Sequence, residues 1–266
     1  QTFNYPSYLD KHVEKVSRMS SHDTAISPDI PDMTRLLKRV MEKLNDHPVE
    51  VQIINPLTGE PMNVKVGSFG LALVLRLDID DAADIPVIPR MLYELDHGDT
   101  AILKWFIQKR VVFAFAVTAN GLTQGISSGV SPERWQQIEK EATESIFKNI
   151  VNFPFADVKD TWPVPSLQAN LNKPMISDVR TLFLSGDLDC RTPVEQAEEI
   201  RKGFTTSAHI IVQNAGHEQV LTHPEIRKAI TVFLSGKAVE NVKPAYPPIA
   251  FISLTAEGTP HPALKR

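Results

Sequence analysis

The sequence predicts an α/β protein in which a long, mostly helical segment precedes a short strand–helix–strand–helix unit. Three observations carry this reading. Between about residues 10 and 165, apolar residues recur mainly at helical spacing. From about residue 175 the pattern changes to short apolar runs, Thr181-Leu182-Phe183-Leu184 and His209-Ile210-Ile211-Val212, each followed by a helical stretch. Strand, helix, strand and helix at that spacing is the pattern of parallel pairing in one sheet. With 266 residues, 42% of them hydrophobic and 23% charged, the chain is long enough for one large domain or a core with an added layer.

The elements follow in order. Pro6-Ser7 opens a first helix with Tyr8, Leu9, Val13, Val16 and Met19 on one face. Loops at Ser20–Asp23 and Ser27–Pro31 end it, and Asp32 is placed to cap a second helix. There Met33, Leu36, Leu37, Val40, Met41 and Leu44 form the clearest amphipathic stripe in the chain. Residues 49–54 and 62–66 read as a hairpin turning at Asn55-Pro56-Leu57-Thr58-Gly59. Helices are expected over about 87–97 and about 100–109, the latter with Asp99 as cap. Another begins at Pro132 behind Ser131, a capping residue followed by proline at the first helical position. Beyond the strand at 181–184, helices are expected over about 193–202 and 224–234, and residues 237–266 form a proline-rich tail draped over the surface or partly disordered. The domain reading is therefore 1–165 helical, 175–236 α/β, and 237–266 tail.

Composition excludes several function classes. The net charge is −4 and no Lys/Arg-rich stripe occurs, so a nucleic-acid partner is not expected. No apolar run reaches the roughly 18–20 residues needed to span a bilayer. The single cysteine, Cys190, allows no internal disulfide. His22-Asp23 and His97 lack the partners of a metal site, and no metal or other cofactor is expected. The chain starts at Gln1 without the charged-then-apolar layout of a signal peptide, and the expectation is that residue 1 is not where translation began.

The chemistry sits just past the two strands, where open α/β sheets place their functional groups. After 181–184 comes Ser185-Gly186-Asp187-Leu188-Asp189-Cys190-Arg191-Thr192-Pro193. After 209–212 comes Gln213-Asn214-Ala215-Gly216-His217-Glu218. An acid and a histidine on neighbouring strand ends are what a hydrolytic triad requires. The acid fixes the imidazole tautomer and stabilises the imidazolium that forms during attack. Taken alone, Asp189 could merely cap the next helix and His217 could be a loop histidine; the two together favour Asp189 and His217 as acid and base.

The stretch Thr181–Leu234 resembles the C-terminal end of α/β-hydrolases of the tripeptidyl-aminopeptidase-like type, relatives of proline iminopeptidase. The motifs are Leu184-Ser185-Gly186-x-x-Asp189-x-x-Thr192-Pro193 and Ala215-Gly216-His217, with weaker likeness at His97-Gly98-Asp99 and Phe153-Pro154-Phe155…Trp162. The resemblance implies the C-terminal part of an α/β-hydrolase sheet, Asp189 as triad acid, His217 as general base, and residues before 165 as a large helical cap. It also implies an exported protein, periplasmic or secreted, more than a cytoplasmic one. Cap cysteines carried by many relatives are missing around Ala119-Asn120 and Lys159.

The nucleophile is the gap. The one Gly-x-Ser-x-Gly match is Gly125-Ile126-Ser127-Ser128-Gly129. A nucleophile elbow needs a buried strand before the serine and a helix starting at it. Here mostly polar residues precede Ser127, and the best helix start is Ser131-Pro132, so Ser127 is the weaker candidate. By the family's layout the serine lies on a separate N-terminal chain, a fragment of the same hydrolase that would be this chain's partner. The small-molecule partner expected is a peptide or ester. The function expected is a serine hydrolase, a peptidase of aminopeptidase type. Alternatives are an esterase on the same fold, or a non-catalytic binding protein that lost the serine. Glu94, Asp96 and Asp99 form an acidic cluster, from which Glu94 is a candidate for a substrate's terminal amine; a solvated helix end is the simpler reading. Cys190 adjoins Asp189, which disfavours its thiolate, so a packing role is expected. Trp105, Trp135 and Trp162 read as core aromatics.

Overall fold

The computed structural model describes residues 3–115, 118–165, 167, 173–255 and 261–264. The chain forms two compact units. One, here the helical unit, comprises Gln1–Asp78, Val87–Asn172 and Phe251–Arg266; the other, the α/β unit, comprises Ile79–Pro86 and Lys173–Ala250.

In the helical unit, α1 (Ser7–His22) and α2 (Met33–Asp46) bury the stripes expected of them: Leu9, Val13 and Val16 on α1, and Met33, Leu36, Leu37, Val40 and Leu44 on α2. The Asp32 side chain accepts from the Arg35 N–H and so supplies one of the partners that the first turn of α2 lacks. Strands β1 (Val49–Ile54) and β2 (Pro61–Val66) form an antiparallel hairpin with Val51 facing Val64. The next helix, α3 (Ser68–Asp78), has no counterpart in the sequence reading. Its run Leu71-Ala72-Leu73-Val74-Leu75 is apolar throughout and packs against α2, α5 and the 3₁₀ turn at Ile150–Asn152, which leaves little periodicity to read. Helix α4 (Ile88–Asp96) matches expectation, and α5 (Ala101–Phe115) runs longer than expected. Helices α6 (Ala119–Ser128), α7 (Pro132–Glu144) and α8 (Phe155–Val158) complete the unit. Among the described residues no helix is long and apolar enough to cross a membrane.

In the α/β unit, β3 (Thr181–Gly186) and β4 (Ser207–Val212) pair in parallel, with Leu184 opposite Ile210. Helix α9 (Val194–Arg201) connects them and α10 (Pro224–Leu234) follows β4. Ile210, Val212, Ala215, Val220, Ile226 and Ala229 form the core between sheet and α10, with Leu182 and Leu184 packed against it. Such a core holds the two strand ends still, which the loops beyond them require.

Two segments join units that the sequence boundaries did not give them. Residues 79–86 belong to the α/β unit, because Asp80 and Asp81 bond to its loops (below). The tail is shared: Gln213 exchanges backbone bonds with Pro244 and Tyr246, whereas Phe251 donates to Asp23 and Ser253 accepts from Arg90 in the helical unit.

Candidate active site

Asp189 and His217 meet. His217 Nδ1 lies 2.8 Å from Asp189 Oδ2, with the carboxylate buried and the ring one-third exposed. The other oxygen, Oδ1, accepts the backbone N–H groups of Arg191 (2.9 Å) and Thr192 (2.8 Å), and the Thr192 hydroxyl donates to Oδ2 at 2.7 Å. These three bonds fix the carboxylate as an acceptor. The nitrogen facing it must then carry the ring proton, which leaves Nε2 as the basic nitrogen.

Backbone geometry brings the two loops together. Leu188 N–H donates to Ala215 O at 2.9 Å and Asp187 N–H to Val212 O at 3.1 Å. Gly186 and Gly216 are required at this contact. A Cβ on Gly186 would strike the Ala215 carbonyl, and one on Gly216 would strike the Asp80 carbonyl. Asn214, at φ 57°, makes the left-handed turn into the histidine loop and ties its amide to Tyr246 O at 2.8 Å.

The segment 79–86 supplies residues that sequence reasoning passed over. Asp80, fully buried, takes the Arg191 guanidinium on both oxygens at 3.0 Å, and its backbone oxygen accepts His217 N–H at 3.0 Å. Asp81 is held by Gln219 Nε2 at 2.8 Å, and Gln219 Oε1 accepts Gly216 N–H at 3.1 Å. Burial outweighs the Arg191 charge and pushes the Asp80 carboxyl up to about 6. The available signal was Arg191 itself, a cation two residues past Asp189 that needs a counter-charge.

Cys190 is buried, and burial, with the charges of Asp80 and Asp189, pushes its thiol well above the ordinary range. It is a packing residue, as expected. A second Ser–His–acid chain occurs in the same unit. Ser185 Oγ lies 2.9 Å from His209 Nε2, and His209 Nδ1 lies 2.6 Å from Glu198 Oε1. Ser185 is buried inside β3, so this chain ties α9 to the sheet and offers no access to a substrate.

Ser127 lies in the last turn of α6, a helix that ends before the start expected at Ser131-Pro132 and that the sequence reading did not contain. Its Oγ points back to Gln124 O at 3.4 Å. The two glycines of the pattern have ordinary explanations. Gly125 lets the Phe155 ring lie against the helix, and Gly129, at φ 62°, ends it. Neither makes a strand-to-helix elbow. In the helical unit Glu94 is paired with Arg90 at 2.7 Å, Asp96 with Arg39 at 2.7 Å, and Asp99 accepts Ala101 N–H at 2.8 Å. Trp105 stacks edge-on with Phe106, Trp135 with Phe3, and Trp162 donates to Thr123. Among the described residues no His/Cys/Asp/Glu cluster could hold a metal.

A parallel strand pair that presents an acid and a hydrogen-bonded histidine from adjacent strand ends has the layout of the C-terminal part of an α/β-hydrolase. Residues 156–242 match the model of the family described as TAP-like protein, so this stretch is similar to the C-terminal region of a TAP-like α/β-hydrolase. The match supports an α/β fold and an activity of the α/β-hydrolase type. No curated protein matches the chain.

Proposed function

We propose that this chain supplies the general base and the acid of a serine hydrolase, a peptidase of aminopeptidase type, with the helical unit as its cap. The 2.8 Å contact of His217 Nδ1 with Asp189 Oδ2, on loops past adjacent parallel strands, carries the reading. His217 Nε2 takes the proton of a serine hydroxyl as its Oγ attacks the substrate carbonyl, and returns it to the leaving amine or alcohol. Asp189 holds the tautomer and stabilises the imidazolium between these steps. A water then repeats the cycle on the acyl-enzyme. The serine is contributed by an N-terminal portion of the hydrolase on a separate chain. What supports this is the position of Ser127 in the last turn of α6, with no strand leading into it, where a strand-to-helix elbow is not formed.

The test is turnover of aminoacyl anilides and of aryl esters by the chain together with its N-terminal partner. His217→Ala is expected to lower kcat at least about 10³-fold on whichever substrate is cleaved. Preference for the anilide supports the peptidase, and preference for the ester moves the assignment to an esterase. Unchanged turnover in the variant rejects the acid–base roles, and failure to cleave either substrate favours a binding protein.

A further inference from the structure

One side-chain pair links three separate pieces of the α/β unit. Asp80 lies in the short segment Ile79–Pro86, is fully buried, and receives both Nε and Nη2 of Arg191 at 3.0 Å. Arg191 belongs to the acid's loop and donates its own backbone N–H to Asp189 Oδ1 at 2.9 Å. The Asp80 backbone oxygen accepts the N–H of His217 at 3.0 Å. The planar guanidinium accepts only a narrow range of in-plane carboxylate positions, so a two-pronged pair sets distance as well as attraction.

We propose that Asp80 and Arg191 are positioning residues of the hydrolytic site, a clamp whose two-pronged pairing sets the spacing between the acid loop and the histidine loop and so maintains the bond between Asp189 and His217. The proposal rests on the reading of Asp189 and His217 as acid and base.

The alternative, that the pair serves stability, fits poorly with its energetics. Burial pushes the Asp80 carboxyl up to about 6, so the ionised form is held at a cost that Arg191 offsets only in part. Arg191 remains 41% exposed and would be solvated without its partner. The charged and titratable groups facing Asp80 are Arg191, Asp189 and His217. The Cys190 thiol adjoins them, and Glu218 lies beyond at 3.6 Å from Arg191. Of these, Arg191 makes hydrogen bonds to the Asp80 carboxylate. Above about pH 6 the clamp is ionised and closed; below it, the protonated carboxyl loses the pairing.

The test is nuclear magnetic resonance of the intact chain carrying ¹⁵N-histidine, read at the downfield Nδ1 proton of His217 and assigned by its loss in His217→Ala. Asp80→Asn removes the charge, and Arg191→Lys keeps the charge but removes the fork. Thermal unfolding by circular dichroism reports on each fold. The expected result is a slowly exchanging proton in the wild type at pH 7, with exchange at least tenfold faster in both variants while both stay folded. Folded variants with unchanged shift and exchange would overturn the proposal, as would loss of folding in both, which would assign the pair to stability. If Asp80→Asn alone fails to fold, Arg191→Lys decides. Fluorophosphonate labelling separates the two readings. A resonance lost in the variants with no serine labelled sinks the hydrolase reading and leaves the clamp. A labelled serine with an unperturbed resonance sinks the clamp alone.

Discussion

The backbone oxygen of Asp80 accepts the N–H of His217 at 3.0 Å, so a residue from the short segment Ile79–Pro86 anchors the histidine loop. The contact is possible only because residue 216 lacks a side chain. Gly216→Ala must push the Asp80 carbonyl away, as in an overpacked core, and is expected to cost about 1–3 kcal/mol. Urea unfolding checks this. Gly236→Ala is the control, since a Cβ there meets open space and only the positive φ of 83° opposes it, at roughly 1 kcal/mol.

Asp189→Asn preserves shape but cannot hold the same tautomer, because an amide offers both a donor and an acceptor to Nδ1. Two backbone N–H groups and the Thr192 hydroxyl keep the side chain in place. The expected result is a fall in kcat of about 10⁴-fold with KM little changed. Steady-state kinetics on the assembled hydrolase measures it.

Asp80 makes stability depend on pH. Its carboxyl is raised from 3.8 to about 6 in the folded protein, so the folded state binds the proton more tightly than the unfolded chain does. Stability from this group is therefore fully present below about pH 4 and is lost as pH rises through about 6. The loss by pH 7 is worth about 3 kcal/mol. The difference between wild type and Asp80→Asn in urea unfolding, measured from pH 4 to 7, should change by that order in the variant's favour. A flat difference would remove the charged burial that the clamp requires.

Much of the fold was legible in the sequence, and the exceptions share a cause. The ends of α10 at Pro224 and Leu234 were readable because a proline sits at the first turn and apolar residues recur down one face. Asp189 and His217 were readable because each follows an apolar strand. Helix α3 was not, since burial on several sides erases periodicity. Helix α6 was not, since Ala119–Ser128 contains two glycines and several polar residues. It is held by the Thr118 cap and the Phe155 contact, neither of which a local pattern reveals. The Asp80–Arg191 pair joins residues far apart in sequence, and only the folded chain brings them together.

Cys190 is predicted to be inert. Its thiol is buried and held protonated by desolvation and by the neighbouring charges of Asp80 and Asp189. A colorimetric disulfide reagent should fail to label the native chain and should label one thiol once the chain is unfolded in guanidinium. Rapid native labelling would contradict the packing role.

Ser185→Ala tests whether the second Ser–His–acid chain has any part in turnover. It removes one partner of His209 and leaves Nε2 buried and unpaired, at about 1–3 kcal/mol of stability. Turnover should be unchanged, because Ser185 is enclosed within β3.

The most direct measurement is fluorophosphonate labelling of the assembled hydrolase, with the modified serine located by peptide mass spectrometry and the same experiment repeated on His217→Ala. The predicted result is a single labelled serine outside these 266 residues, with labelling abolished in the variant. A label on Ser127, or one that persists without His217, would contradict the account.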